Sequence, residues 1–150
     1  MFRGAYALPP TAKADGLPRC YRCETASYAE SITDEEVVFL VGTRERVVVA
    51  FGSLRLTAPD DYEANPDAEV TGVYVHPRVA RSGVGSRVYE ELETRARDAN
   101  VDRLGLSASR NAVAFYEQHG FERVRTRSHE FSPHAETGVI GEVVEMVKRL

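Results

Sequence analysis

The sequence predicts a mixed α/β domain whose sheet contains one parallel β-α-β crossover. Three observations predict it. β-branched residues crowd Val37–Val41 and Val47–Leu56, as they do in strands. An apolar residue recurs every turn through residues 85–99, the period of a helix lying on a core. A glycine turn, Gly83-Val84-Gly85, joins the alternating segment Glu69–Val75 to that helix. A strand-turn-helix unit of this kind returns beside its own strand.

The elements follow in chain order. Residues 1–16 hold Gly4, Pro9, Pro10 and Gly16 and read as irregular or as a frayed strand. Residues 17–31 read as a short helix, with Thr33-Asp34-Glu35-Glu36 as a cap or turn after it. Val37–Val41 and Val47–Leu56 are strands joined by a hairpin at Gly42-Thr43-Arg44-Glu45. Pro59–Pro66 is a polar loop. Glu69–Val75 alternates, which places Glu69, Thr71, Val73 and Val75 on one face and Val70, Gly72, Tyr74 and His76 on the other. The helix at 85–99 buries Val84, Val88, Leu92 and Ala96, with Tyr89 beside them. Arg103–Ser107 is a short strand. Ser109 caps a helix running to His119, with Gly120 as its left-handed stop and Ala112, Phe115, Tyr116 and His119 as its buried stripe. Glu122–Phe131 and Val139–Val147 are the last two strands.

Bulk properties narrow the function. With 150 residues, 43% hydrophobic and 28% charged, the chain has the size and composition of one soluble domain, 1–150. A net charge of −4 argues against a nucleic-acid partner. Of the 19 basic residues only Lys13 and Lys148 are lysines. No apolar run approaches membrane-spanning length, and the start lacks the apolar core of a signal peptide. Two cysteines without an export signal point to the cytoplasm. Cys20 and Cys23 share a helix face, and without a second pair they read as small core residues rather than as a metal site. His76, His119, His129 and His134 show no ligand spacing, so no metal is expected.

The stretch Val73–Val88 carries the chemistry. A glycine turn opening a helix aims backbone N–H groups at an anion. A P-loop would continue Gly-Lys-Ser/Thr, but Ser86 and Arg87 follow Gly85. A dinucleotide fingerprint needs a third glycine where Val88 stands. A third pattern fits. Val75-His76-Pro77 and Gly83-Val84-Gly85, together with Ser109-Arg-Asn-Ala-Val-Ala-Phe-Tyr-Glu-Gln-His-Gly-Phe121, resemble the two motifs of the GNAT N-acetyltransferase superfamily. The resemblance covers about residues 37–150 and is sharpest at 69–88 and 104–121.

The resemblance implies a mixed, mostly antiparallel sheet of about six to seven strands, a parallel β-α-β crossover and about four helices. It implies transfer of acetyl from acetyl-CoA to a primary amine of a small molecule or peptide, and a homodimer through the C-terminal strands. A non-catalytic CoA-binding module of the same fold is the alternative. On this pattern Arg81, Ser82, Gly83, Val84, Gly85 and Ser86 cradle the pyrophosphate, with Gly83 and Gly85 leaving room for it. Val73, Tyr74 and Val75 pair with the pantetheine arm, and the Val75 N–H faces the oxyanion. Ser109 or Asn111 bonds the same arm, beside Phe115. Tyr116 is the general acid for the departing thiolate, and Glu69 the base for the amine. Ala80 departs from the pattern, which has Gln or Arg there; Arg81 stands one place later. Tyr21 and Tyr28 are candidates for the acceptor pocket. The acidic loop residues Asp60, Asp61, Glu63 and Asp67 either draw a cationic amine or form a solvated charge run.

Overall fold

The computed structural model describes residues 2–4, 34–130 and 140–150. The expected helix at 17–31, with Cys20, Tyr21, Cys23 and Tyr28, lies outside the described residues, as does His134. The described strands form one seven-stranded sheet: β1 (Phe2–Gly4), β2 (Val37–Arg44), β3 (Val47–Arg55), β4 (Ala68–Val75), β5 (Arg103–Ser109), β6 (Glu122–Glu130) and β7 (Ile140–Arg149). Their order is β1-β2-β3-β4-β5-β7-β6. Only β4 and β5 pair in parallel; every other neighbour is antiparallel.

The connection that makes β4 and β5 parallel is α1 (Val84–Asp98). Its face Val88, Tyr89, Leu92 and Ala96 is buried against Leu54, Val70, Leu104 and Leu106 of the sheet. Each such side chain contributes about 1.5–3 kcal/mol when fully buried. The helix can lie this close because β3 carries Gly52. A Cβ there would sit 2.5 Å from a Val88 methyl and 3.0 Å from Leu92. Arg95 and Arg97 occupy the last turn, where cations suit the helix dipole, and each pairs with a glutamate four residues earlier.

Three local expectations are corrected. The β2–β3 hairpin turns on Glu45-Arg46, not on residues 42–45. Both residues have positive φ, 51° and 68°, the two-residue turn whose twist matches the flanking strands; strand pairing therefore continues through Arg44. The helix expected from Ser109 to His119 is broken. β5 runs on through Ser109, a 3₁₀ turn takes Arg110–Ala112, and α2 is only Val113–Gln118. Its buried residues are Val113 and Tyr116, with Ala112, Phe115 and His119 half-buried. Of the four expected helices, two α-helices and two 3₁₀ turns are present among the described residues.

The third correction matters most for the site. The β3–β4 register shifts between Ser53 and Leu54: Leu54 faces Val70, yet Ser53 faces Gly72. Thr71 is therefore an extra residue, a β-bulge that inverts the alternation. Val73 and Val75 join Val70 on the α1 face, opposite Gly52 and Ala50. Glu69, Gly72 and Tyr74 share the other face. Glu69 and Val75 thus lie on opposite sides of the sheet, not on the same side as simple alternation requires.

Candidate active site

The bulge precedes a fork. β4 and β5 pair only at Ala68–Leu104 and Glu69–Gly105, although β4 continues to Val75 and β5 to Ser109. Beyond Glu69 no ladder joins them. The His76 N–H bonds the Val49 carbonyl on β3 at 2.7 Å. Backbone groups alternate sides along a strand, so the N–H and C=O groups of Val73 and Val75 face the fork. An open strand edge at the centre of a sheet is a template for an extended ligand.

The glycine turn closes one end of the fork. Gly83 is the N-cap of α1, with φ 81°, and no side chain caps the helix. The first-turn N–H groups of Val84, Gly85 and Ser86 are left to an external acceptor. No acidic residue stands in that turn. A Cβ on Gly83 would meet nothing within 4 Å among the described residues, so the turn itself is open on that side. Arg81 is exposed, with φ 61°, and Ser82 Oγ donates to the Val79 carbonyl. Gly85 also fits helix to strand: a Cβ there would crowd Val75 Cγ2 at 3.2 Å and touch the Phe115 ring at 3.5 Å.

Tyr116 reaches the fork from the α1 face. It is 6% exposed and packs edge-on against Tyr89, Phe115 and Phe121. Among the described residues its hydroxyl has no hydrogen-bond partner, yet it is not sealed from solvent. Burial, with the Tyr74 phenol adding to it, pushes Tyr116 up to about 12. The group therefore stays protonated across the neutral range. Phe115 is half-buried beside it, while Ser109 and Asn111 are exposed at the end of β5. The Ser109 side chain caps nothing, so neither residue is committed elsewhere by a cap.

Glu69 lies on the opposite face, in the crotch of the fork. Tyr62 Oη donates to its Oε1 at 2.6 Å and lies 3.3 Å from Ser107 Oγ on β5. Arg55 stands 4.0 Å away. Tyr62 is itself pushed up, by burial first and then by its bond to Glu69, so it is a donor throughout the working range. Sequence reasoning missed Tyr62: a tyrosine in a polar loop carries no periodic signal. It also missed Glu145, which is fully buried. Glu145 accepts from the Ala64 N–H at 3.1 Å and from Arg125 at 2.8 Å. With Arg127 bonded to Asp61 and Ser107, these contacts dock loop 59–66 onto the sheet. The acidic loop is thereby largely accounted for. Asp61 pairs with Arg127, Asp67 accepts from the Asp102 and Arg103 N–H groups, and Glu63 lies 3.6 Å from Arg125.

The junction between α1 and α2 was also unforeseen. His119 Nε2 lies 3.1 Å from Ser86 Oγ, tying the end of α2 to the first turn of α1. Burial lowers the His119 pKa, so its ring is neutral at pH 7. Next to it, a shallow pocket of about 560 Å³ is lined by Tyr89, Glu93, Arg97 and Lys148 among others. It lies away from the fork and its charges are spent on each other. Burial alone would raise Glu93, but bonds from Lys148, Tyr89 and Arg97 outweigh it and lower Glu93 to about 2. Among the described residues no cluster suits a metal ion, and no helix is long and apolar enough to cross a membrane.

Comparison with known proteins supplies the context. The model of the acetyltransferase (GNAT) family matches residues 8–121. No curated protein matches the chain. Solved structures resemble it over its whole length. Naa20 of Chaetomium thermophilum, in complex with a bisubstrate analogue, is 20% identical with a TM-score of 0.72, covering 100% of this chain and 86% of that one. The ribosomal-protein-alanine N-acetyltransferase of Brucella melitensis is 20% identical with a TM-score of 0.71, over 100% and 99%. A GNAT family acetyltransferase of Elizabethkingia anophelis, with acetyl-CoA bound, is 14% identical with a TM-score of 0.68, over 100% and 97%. At these identities the likeness establishes the fold.

Proposed function

Because the chain belongs to the acetyltransferase (GNAT) family, we propose that it moves acetyl from acetyl-CoA directly to a primary amine of a small molecule or peptide. The observation that carries this reading is the fork between β4 and β5, which ends at the uncapped N-terminus of α1. Strand edge and helix end match the two halves of the cosubstrate: an extended amide-bearing arm and a pyrophosphate. Acetyl-CoA supplies the activated thioester carbonyl. The N–H groups of Val84, Gly85 and Ser86 take the pyrophosphate, with Arg81 and Ser82 at its margin. Val73 and Val75, through the edge they share with Tyr74, pair with the arm beside Phe115 and Ser109 or Asn111. The Val75 N–H stabilises charge on the carbonyl oxygen.

The two titratable groups work from opposite faces. Tyr116 holds a proton for the departing sulfur, and its unbonded hydroxyl supports that role. Glu69, held by Tyr62, takes a proton from the incoming amine. The amine therefore approaches from the face opposite α1. Calorimetry with acetyl-CoA, followed by thiol release on a panel of amines, tests the reading. Binding with amine-dependent thiol release is expected. Binding without turnover on any amine would indicate a CoA-binding module, and absence of binding would end both readings.

A further inference from the structure

The face from which the amine approaches carries one feature that the transfer reading does not use. Among the described residues three aromatic rings stack across it, Phe39 on β2, Phe51 on β3 and Tyr74 on β4. Their centroids are 5.5 and 4.7 Å apart, with interplanar angles of 12° and 26°. Tyr74 is directly opposite Phe51. The stack advances strand by strand, so the next place in the series lies over the fork. Tyr74 is the last ring and is 50% exposed, among the few exposed large hydrophobic side chains of the described residues.

The bulge brings this ring to the candidate base. Thr71 is the extra residue, which makes Glu69 and Gly72 successive positions on one face. The Tyr74 ring lies over Gly72: a Cβ there would sit 2.5 Å from Tyr74 Cε2. Any other residue at 72 would push the ring away. Two residues of strand span about 6.8 Å. A flat apolar surface and a carboxylate that attracts an ammonium group are thus one strand repeat apart, both beside the fork.

We infer that the acceptor is a small amine carrying an aromatic ring a short linker away from its nitrogen, and that Tyr74 selects it by stacking. The inference rests on the transfer reading above and adds the acceptor class to it. The ring of the acceptor stacks next on Tyr74, and its amine falls beside Glu69. Offset stacking adds to apolar burial, so an aromatic ring outcompetes a saturated one of the same size.

The test compares 2-phenylethylamine, 2-cyclohexylethylamine and propylamine as acceptors, with thiol release as the readout. The wild-type chain is expected to prefer phenylethylamine over cyclohexylethylamine by about three- to tenfold in kcat/KM. Tyr74→Phe is expected to keep that ratio, and Tyr74→Leu to bring it to about one. Ratios within one variant are unaffected by how much of it folds. Turnover of propylamine with no aromatic preference in the wild type overturns the inference alone. So does an unchanged ratio in Tyr74→Leu. Binding of acetyl-CoA without turnover of any of the three amines overturns the inference alone; the transfer reading falls only if the wider amine panel is also inert.

Discussion

The two halves of β4 differ more than any two elements of the sheet. Before Thr71, Ala68 and Val70 are buried, Glu69 is paired on both sides and Ala68 pairs with β5. After it, Gly72–Val75 pair with β3 alone, and the edge toward β5 is open. Local composition does not explain the contrast, since valine and small residues fill both halves. Its cause is one inserted residue together with the end of the parallel ladder. The first half is held by a dense polar clamp: Tyr62 on Glu69 and Ser107, and Glu145 on Arg125 and the Ala64 N–H. The second half is bordered by groups with unspent hydrogen-bonding capacity, the first turn of α1 and the Tyr116 hydroxyl. The polar clamp lies on the closed side of the bulge; the proposed cosubstrate contacts lie on the open side, and Glu69 faces them from the closed half.

If that division is real, substitutions on the two sides should separate in kind. The largest effect belongs to Tyr116→Phe. Turnover should fall by about 10²–10⁴-fold while acetyl-CoA affinity and the melting temperature hold, because the lost hydroxyl has no hydrogen-bond partner among the described residues. Since burial pushes Tyr116 up to about 12, the wild-type rate should show no alkaline loss from this group near pH 10, where a free phenol ionises. A rate unchanged in Tyr116→Phe would assign the proton to water.

Gly83→Val should come next. Its side chain would enter the space in front of the α1 donors and abolish acetyl-CoA binding by calorimetry. The positive φ adds about 1–2 kcal/mol of strain, so the melting temperature should drop by only several degrees. Unchanged affinity would remove the turn from the site. On the closed side, Glu145→Ala strips acceptors from Arg125 and the Ala64 N–H and should cost about 1–3 kcal/mol in a denaturant titration. It should weaken acetyl-CoA binding far less than Gly83→Val does. The reverse ranking would break the comparison.

The smallest effect is a pH dependence at the α1–α2 junction. Burial lowers the His119 pKa, so the unfolded ring takes up a proton before the folded one as pH falls. The contribution of His119 is present above the unfolded pKa of about 6.5 and is lost as pH drops through the folded value. Melts at pH 7.5 and pH 5 should therefore differ more for the wild type than for His119→Gln.

The legible parts of this molecule were those set by local chemistry. The stripe Val88, Leu92 and Ala96, with Tyr89, announced α1 and its buried face. Gly83 and Gly85 announced the turn, and Phe115-Tyr116 the short helix beside it. What stayed hidden depends on register and on long-range pairing. One extra residue at Thr71 moves Glu69 to the other face without altering the apolar pattern around it. Gly85 reads like a phosphate glycine, and its close fit against Val75 and Phe115 shows only in the fold. Tyr62 and Glu145 meet their partners only once loop 59–66 folds back over β5 and β7. No spacing in the sequence encodes those contacts.

The central claim is that the open edge of β4 and the N-terminus of α1 together receive acetyl-CoA. Amide hydrogen exchange, read residue by residue with and without acetyl-CoA, tests it most directly. The account predicts new protection at Val73 and Val75 and at Val84–Ser86, with Val70, Leu104 and Leu106 already protected and unchanged. Bound acetyl-CoA that leaves the Val73 and Val75 amides exchanging as before would contradict it.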